Sequence, residues 1–291
     1  MQMREFVLSR NDFRRVRAMI HARAGIALSD AKKDMVFSRL VRRLRALQLD
    51  SFNDYLDQLE QHPAWEEWQE FTNALTTNLT SFFREAHHFE MLRQQFLASK
   101  SRPFRVWCAA SSTGEEPYSL AITLAEAAHS LAPPVQIIAS DIDTRVLETA
   151  RAGVYPLERL EKLSRERIKR YFQRGTGRNE GYCRVVEPLR KLIDFREINL
   201  LDGRWDFDAP FDAIFCRNVM IYFDKPTQRR VLEKFLPLLR PDGRLYAGHS
   251  ESFLHSSHLF HSCGRTVYAP VTAQAPARAA AHAAVRVKEP A

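Results

Sequence analysis

From Phe104 onward, short apolar runs alternate with longer helical stretches, and this alternation limits the fold more than any other feature of the chain. FRVWCAA (104–110) is the first run, followed by the small-residue turn SSTGEEP and the helix-like YSLAITLAEAAHSL. VQIIAS (135–140) ends at Asp141, and a helix is expected near Arg145–Ala152. LIDFREINL (192–200) and FDAIFC (211–216) read as further strands. TQRRVLEKFLPLLR (227–240) reads as a helix, Pro241-Asp242-Gly243 as a turn and RLYAGHS (244–250) as another strand. Strands alternating with helices build a parallel sheet covered on both faces, an α/β fold. Ligands in such sheets bind outside the carboxyl ends of the strands.

Before Pro103 no strand period is visible. Ser9-Arg10-Asn11-Asp12 resembles a capping box, and Phe13, Val16, Met19 and Ile20 follow at helical spacing, with Gly25 as the helix stop. A second helix is expected from about Ala31 to Leu47, striped by Val36, Leu40, Leu44 and Leu47. Ser51 opens a third, and Pro63 marks the start of a fourth. Residues 155–190 interrupt the later alternation and are too long for a plain connection. They read as an inserted subdomain: a helix over Leu157–Phe172, a turn at Gly175-Thr176-Gly177 and a strand near Tyr182–Val186. Residues 271–291, with 9 alanines, read as a mobile tail.

Composition narrows the function classes. At 45% hydrophobic and 27% charged residues, the 291-residue chain has the balance of a folded protein, with length for two domains. It contains no apolar run long enough to cross a membrane and no apolar secretory leader, which implies a cytoplasmic protein. Cys108, Cys183, Cys216 and Cys263 are far apart and read as reduced core thiols. The net charge of +8 is unevenly spread. Residues 1–50 hold 12 basic and 5 acidic groups, a net of +7, whereas residues 51–80 hold 6 acids and no base. Such a patch suits an acidic partner. At helical spacing Lys32, Arg39, Arg42 and Arg43 share one arc, read either as a solvated face or as a docking surface.

The chemical motifs lie at strand ends. The turn Ala110–Glu116 offers small residues and free N–H groups where a helix opens, although an ordinary strand-to-helix turn has the same composition. Asp141 can accept both hydroxyls of a ribose, or cap the next helix. Together they suggest a nucleoside-containing cofactor. A Walker lysine and a GxSxG elbow are absent. The spacing His255-x-x-His258-x-x-His261 lacks a completing ligand nearby, so no metal is expected.

Longer motifs make the reading specific. NALTTNLTSFFREAHHF (73–89), ASSTGEEPYSLAI (110–122), ASDID (139–143), FDAIFCRNVMIYFDK (211–225) and LRPDGRLYAGHSE (239–251) resemble the chemotaxis receptor methyltransferases, the CheR family, from about residue 10 to 270. The resemblance implies a Rossmann-like class I methyltransferase sheet (91–270) with an N-terminal all-α domain (1–90) and a small inserted β-subdomain (155–190). The implied activity is methyl transfer from S-adenosyl-L-methionine to glutamates on the cytoplasmic helices of chemoreceptors. Carried over by motif, cofactor contacts fall on Asn78, Thr80, Arg84, Glu115, Asp141, Asn199, Leu200, Arg217 and Asn218. Asp141 would hold the ribose, Glu115 the ammonium group, and Asn199 and Leu200 the adenine. Arg84 and Tyr222 would face the transferred methyl and the incoming carboxylate, with Arg84 holding either that carboxylate or the cofactor's. Lys32, Arg39, Arg42 and Arg43 would dock receptor helices, while Gly175, Thr176 and Gly177 would lie beside an edge for a short receptor C-terminal peptide. The implied enzyme is a cytoplasmic monomer recruited to membrane-bound receptor arrays, without membrane insertion or nucleic-acid binding. A nucleic-acid methyltransferase and a non-catalytic cofactor-binding adaptor are the rival readings. Against the first stand the missing NPPY-type motif and the acids of residues 51–80.

Overall fold

The computed structural model describes residues 6–100 and 102–271, so the expected tail lies, Val271 apart, outside the described residues. Four helices come first: α1 (Arg10–Ala24), α2 (Lys33–Leu47), α3 (Phe52–Gln61) and α4 (Glu67–Leu75). The Ser9 hydroxyl accepts from the Asp12 amide at 3.0 Å while Asp12 accepts from the Ser9 amide at 3.1 Å, a reciprocal cap. Gly25 ends α1 at φ +71°, and a Cβ there would lie 3.2 Å from side-chain carbons of Leu201, Phe223 and Thr227. The position therefore needs glycine both for its backbone and for the approach of the second domain. Val16, Ile20, Val36, Leu40, Leu44, Leu56 and Phe71 share one buried core. Helix α4 begins at Glu67 and not at Pro63, because the chain first makes a turn in which the Trp65 amide donates to the His62 carbonyl at 3.0 Å; once in the helix, the Trp68 indole donates to the Leu59 carbonyl of α3 at 3.0 Å.

Helix α5 (His87–Ala98) leads into a seven-stranded sheet built from β1 (Phe104–Cys108), β2 (Val135–Asp141), β6 (Ile193–Glu197), β7 (Phe211–Cys216), β8 (Leu239–Ala247), β9 (Phe260–Gly264) and β10 (Val267–Pro270). The strand order is β6-β2-β1-β7-β8-β10-β9. The first five are parallel, with Val106 opposite both Ile137 and Ala213, whereas β10 and β9 add an antiparallel hairpin. The sheet is thus mixed. Val106 and Cys108 point into the core under α6 (Glu115–Ala127), and Trp107 points into the opposite core under α10 (Lys225–Phe235). The sequence of strands reverses between β1 and β7, which opens a crevice at their carboxyl ends.

Other boundaries shift for local reasons. α10 stops at Phe235, and Leu239–Gly243, expected as helix end and turn, already belong to β8. The register passes from Phe211↔Leu239 to Ala213↔Arg244, so Pro241-Asp242-Gly243 forms a bulge inside the strand. After α7 (Thr144–Ala152), the inserted segment forms a separate three-stranded antiparallel sheet. Its central strand β5 (Tyr182–Val185) pairs with β3 (Val154–Pro156) and β4 (Phe172–Arg174). The single helix expected over Leu157–Phe172 is a 3₁₀ turn at Leu157–Leu160 and then α8 (Arg165–Tyr171). Ser164 divides them by capping α8, accepting from the Arg167 amide at 3.2 Å. α9 (Glu187–Arg190) closes the insertion. Of the four cysteines, Cys263 is exposed and so is not a core thiol.

Candidate active site

Two loops at the carboxyl end of the sheet assign the acids of the ASDID motif. The Asp141 carboxylate accepts from the Ser112 amide at 2.8 Å and from the Asp143 amide at 3.0 Å. Burial raises its pKa to about 6, although those amides favour the charged form. Asp143, not Asp141, caps α7, accepting from the Arg145 amide at 3.0 Å. Its other oxygen accepts from Thr76 Oγ1 at 2.6 Å and Asn78 Nδ2 at 2.8 Å. Asp143 thereby ties the helical domain's exit to the sheet and leaves Asp141 facing the crevice. The turn before α6 is tight: Ser112 has φ +47° and Gly114 φ +99°. A Cβ on Gly114 would sit 2.7 Å from the Tyr155 hydroxyl oxygen.

The loop after β7 carries Arg217, Asn218 and Tyr222. The Arg217 guanidinium is fully buried, 2.8 Å from Glu116 and 3.3 Å from Glu85, and it also donates to the Arg84 carbonyl. Burial pushes the Glu116 pKa up against the pull of Arg217, and the Cys108 thiol donates to it at 3.2 Å. Glu85, less deeply placed, is held below the usual range because Arg217 and the His249 amide outweigh burial. His88 is pushed down to about 4 by burial and by Arg217. It is therefore neutral at pH 7 and serves as packing beside Tyr246.

A cavity of about 340 Å³ lies where these loops meet the helical domain. Ala24 and residues 26–29, with Lys32 and Met35, form one wall, and the Ala27 amide donates to the Tyr222 carbonyl at 2.8 Å. Of the residues singled out from sequence, Asn78, Thr80, Arg84, Asp141, Asn199, Leu200, Arg217, Asn218 and Tyr222 all line it. Glu115 does not. It is buried beneath the loop, accepts from Thr113 Oγ1 at 2.6 Å and faces Arg159 at 3.6 Å, while its neighbour Glu116 reaches the cavity. Adjacent helical residues are separated by about 100°, so the motif alone could not say which acid turns inward. The helical-domain wall was also invisible, because no short motif marks it. Arg84 Nη1 donates to the Leu79 carbonyl at 3.0 Å. Asn199 donates to the Arg23 carbonyl at 2.7 Å, another tie between the domains.

Two of the four residues of the basic arc, Arg39 and Arg43 on α2, are not free surface. Arg39 donates to the Ala74 carbonyl at 3.2 Å and to the Thr76 carbonyl. Arg43 forks onto Glu67 at 2.8 and 2.5 Å and reaches Glu70 at 3.1 Å. Both side chains are half-buried struts between α2 and α4, which leaves only Lys32 and Arg42 exposed. Arg15 likewise pairs with Asp57 and Glu60. Two of the basic residues of 1–50, Arg15 and Arg43, are thus paired with acids of residues 51–80. Gly175, Thr176 and Gly177 lie in the connection from β4 to β5, away from the cavity. A Cβ on Gly175 would stand 2.1 Å from the Asn179 carbonyl oxygen, whereas Gly177 faces open space at φ +58°.

No helix among the described residues is long and apolar enough to cross a membrane. The CheR methyltransferase SAM-binding domain family matches residues 78–269, and its all-alpha domain family matches residues 11–76. Over 270 residues the chain is 57% identical to chemotaxis protein methyltransferase 2 of Pseudomonas aeruginosa, covering 91% of this chain and 95% of that one. The chemotaxis protein methyltransferase of Salmonella typhimurium is 54% identical over 262 residues, 90% of this chain and 91% of its own. That of Escherichia coli is 53% identical over 270 residues, 92% of this chain and 94% of its own. With both domains matched in order around one cavity, the chain belongs to the CheR family of S-adenosylmethionine-dependent methyltransferases.

Proposed function

We propose that this enzyme transfers the methyl group of S-adenosyl-L-methionine to glutamate side chains on the cytoplasmic helices of chemoreceptors, giving the methyl esters of chemotactic adaptation. The observation that carries the reading is the cavity, where a buried strand-end acid, an apolar wall and a guanidinium share one space. Its residues suit the cofactor. Asp141 has no cationic partner among the described residues and can turn to ribose hydroxyls, while Leu200 and Ile142 offer apolar surface to adenine. Arg217 lines the cavity from a buried position, where its pairs with Glu116 and Glu85 hold the loop that carries Asn218 and Tyr222. Asn78, Thr80, Asn199 and Asn218 supply further polar groups, and Glu116 takes the place first given to Glu115. When bound, the cofactor supplies an electrophilic methyl group on a positively charged sulfur.

The protein's part is alignment and exclusion of water. A glutamate with an ordinary pKa near 4.3 is ionised at pH 7, so no side chain need remove a proton. Consistent with this, neither histidine nor cysteine lines the cavity among the described residues. Arg84 and Tyr222, on the loops flanking the cavity, orient the incoming carboxylate. Arg84 acts as a guanidinium fork. The exposed Lys32 and Arg42 meet the acidic receptor helix, and a receptor C-terminal peptide adds a strand at a free edge of β3 or β4. The enzyme works as a monomer recruited from the cytoplasm to receptor arrays, and nucleic acid is not its acceptor.

The test is peptide mapping of a receptor cytoplasmic fragment incubated with enzyme and cofactor. One methyl mass on glutamate-containing peptides, removed by mild alkali, is expected. A methyl group on lysine, arginine or a nucleobase, or none despite cofactor binding, would sink the reading.

A further inference from the structure

The loop that carries Arg217, Asn218 and Tyr222 has little secondary structure of its own beyond a 3₁₀ turn at Met220–Tyr222, yet its polar backbone groups are held from two sides. Its carbonyls are met from outside: Gln228 Nε2 donates to Met220 at 2.8 Å and Phe223 at 3.1 Å, and the Ala27 amide takes Tyr222. Its amides converge on one carboxylate. Glu251 accepts from the Asn218 amide at 2.9 Å and the Met220 amide at 2.8 Å, and from the Gly248 amide at 2.5 Å. Glu251 is 4% exposed and forms no ion pair among the described residues, so backbone dipoles alone offset the loss of water around it.

The arrangement also fixes a strained position. Asn218 sits at φ +59°, and a Cβ on Gly248 would stand 2.3 Å from its side-chain nitrogen and 2.8 Å from its backbone nitrogen. The loops after β7 and β8 therefore interlock, backbone against backbone, with the Glu251 carboxylate beneath both. We infer that Glu251 is a positioning residue: from the loop after β8 it sets the conformation of the Arg217–Tyr222 loop, and through it the cofactor and acceptor contacts of the cavity. The inference rests on the proposed roles of Arg217, Asn218 and Tyr222 but not on the identity of the methyl acceptor.

An amide in place of the carboxylate presents an NH₂ group where amide donors converge, so Glu251→Gln cannot serve all three. The test uses the full chain with three readouts. Hydrogen exchange on the ligand-free protein should show faster exchange of the Asn218 and Met220 amides, with the β1 and β7 amides unchanged. Calorimetry with S-adenosylhomocysteine should show affinity reduced roughly 10- to 100-fold. Receptor methylation should show kcat reduced at saturating cofactor, with far-ultraviolet circular dichroism as in the wild type. Glu251→Asp, which keeps the acceptors but shortens their reach, should fall between the two. If Glu251→Gln exchanges, binds and turns over like the wild type, the inference is overturned. It is also overturned if every loss follows the unfolded fraction seen by dichroism. A wild type that binds S-adenosylhomocysteine but modifies no receptor would instead defeat the glutamate reading, leaving the exchange and binding results to judge Glu251.

Discussion

Asp141 and Asp143 show how two acids two residues apart divide capping from ligand binding. Sequence placed Asp141 at a strand end but left both duties open, because a cap and a ribose acceptor need the same group at nearly the same position. What decided it was tertiary: Thr76, at the end of the helical domain, and Asn78 just after it both reach Asp143. Asp141→Ala should weaken S-adenosylhomocysteine binding roughly 10- to 100-fold, since hydrogen bonds to charged groups contribute about 1.5–3 kcal/mol; unchanged calorimetric affinity would remove the ribose assignment. The pH dependence follows from the raised pKa of about 6. Between the ordinary aspartate value and about 6, the free folded protein holds a proton that the unfolded chain has lost. This group's contribution to stability is therefore greatest below that window and declines as pH rises through it. Ligand hydroxyls donate to the ionised form, so cofactor affinity should rise with pH over the same range. Calorimetry from pH 5 to 8 should show that rise in the wild type and lose it in Asp141→Asn. The Glu115–Glu116 pair is the matching failure of legibility, since only the rotation of α6 selects the inward acid.

Among the elements, strands buried on both faces were readable because the apolar runs of β1, β2 and β7 are too short for buried helices and alternate with helical stretches. Ends were less so. Pro241-Asp242-Gly243 has turn composition but forms a bulge, and Ser164 splits what periodicity joined. Helix α2 carries the largest correction. Its arginines share an arc, but the partners of Arg39 and Arg43 lie in α4 and at its end, which periodicity within α2 cannot show. Because Glu67 is buried, Arg43→Glu should destabilise the protein by about 3–5 kcal/mol, the cost of breaking a buried pair. Thermal unfolding checks this. Arg42→Glu should leave the melting temperature unchanged and raise KM for receptor, more so at low salt. Equal melting temperatures for Arg43→Glu and wild type would return Arg43 to the docking surface. The inserted subdomain is tied to the cavity more closely than its place in the chain implies. The Tyr155 hydroxyl donates to the Thr113 carbonyl at 2.8 Å and Arg159 to the Thr80 carbonyl at 3.3 Å. Gly177→Val should therefore weaken peptide capture alone, whereas Tyr155→Phe should lower cofactor affinity a few-fold. Calorimetry with peptide and with S-adenosylhomocysteine distinguishes the two, and an unaltered affinity in Tyr155→Phe would show the subdomain to be only a tether.

For the whole molecule, the two domains form one site between them. The helical domain closes the crevice of the sheet, with Ala27 and Lys32 on one side and Asn78, Asp141, Asn199 and Asn218 on the other. The basic excess of residues 1–50, which suited an acidic partner, is met in part inside the helical domain, by the pairs Arg15–Asp57 and Arg43–Glu67. On the proposed mechanism the reaction needs a pre-ionised acceptor, an aligned cofactor and no titrating base. The most direct test offers methyl-tritiated S-adenosylmethionine and the full-length enzyme to receptor-bearing membranes, receptor-free membranes and total nucleic acid side by side. Label should enter only the receptor-bearing membranes and leave as volatile methanol in alkali, at a rate that is flat from about pH 6.5 to 8.5 under saturating cofactor, well above the glutamate pKa. Alkali-stable label, label in nucleic acid, or a bell-shaped profile near pH 7 abolished by changing one histidine would contradict the account.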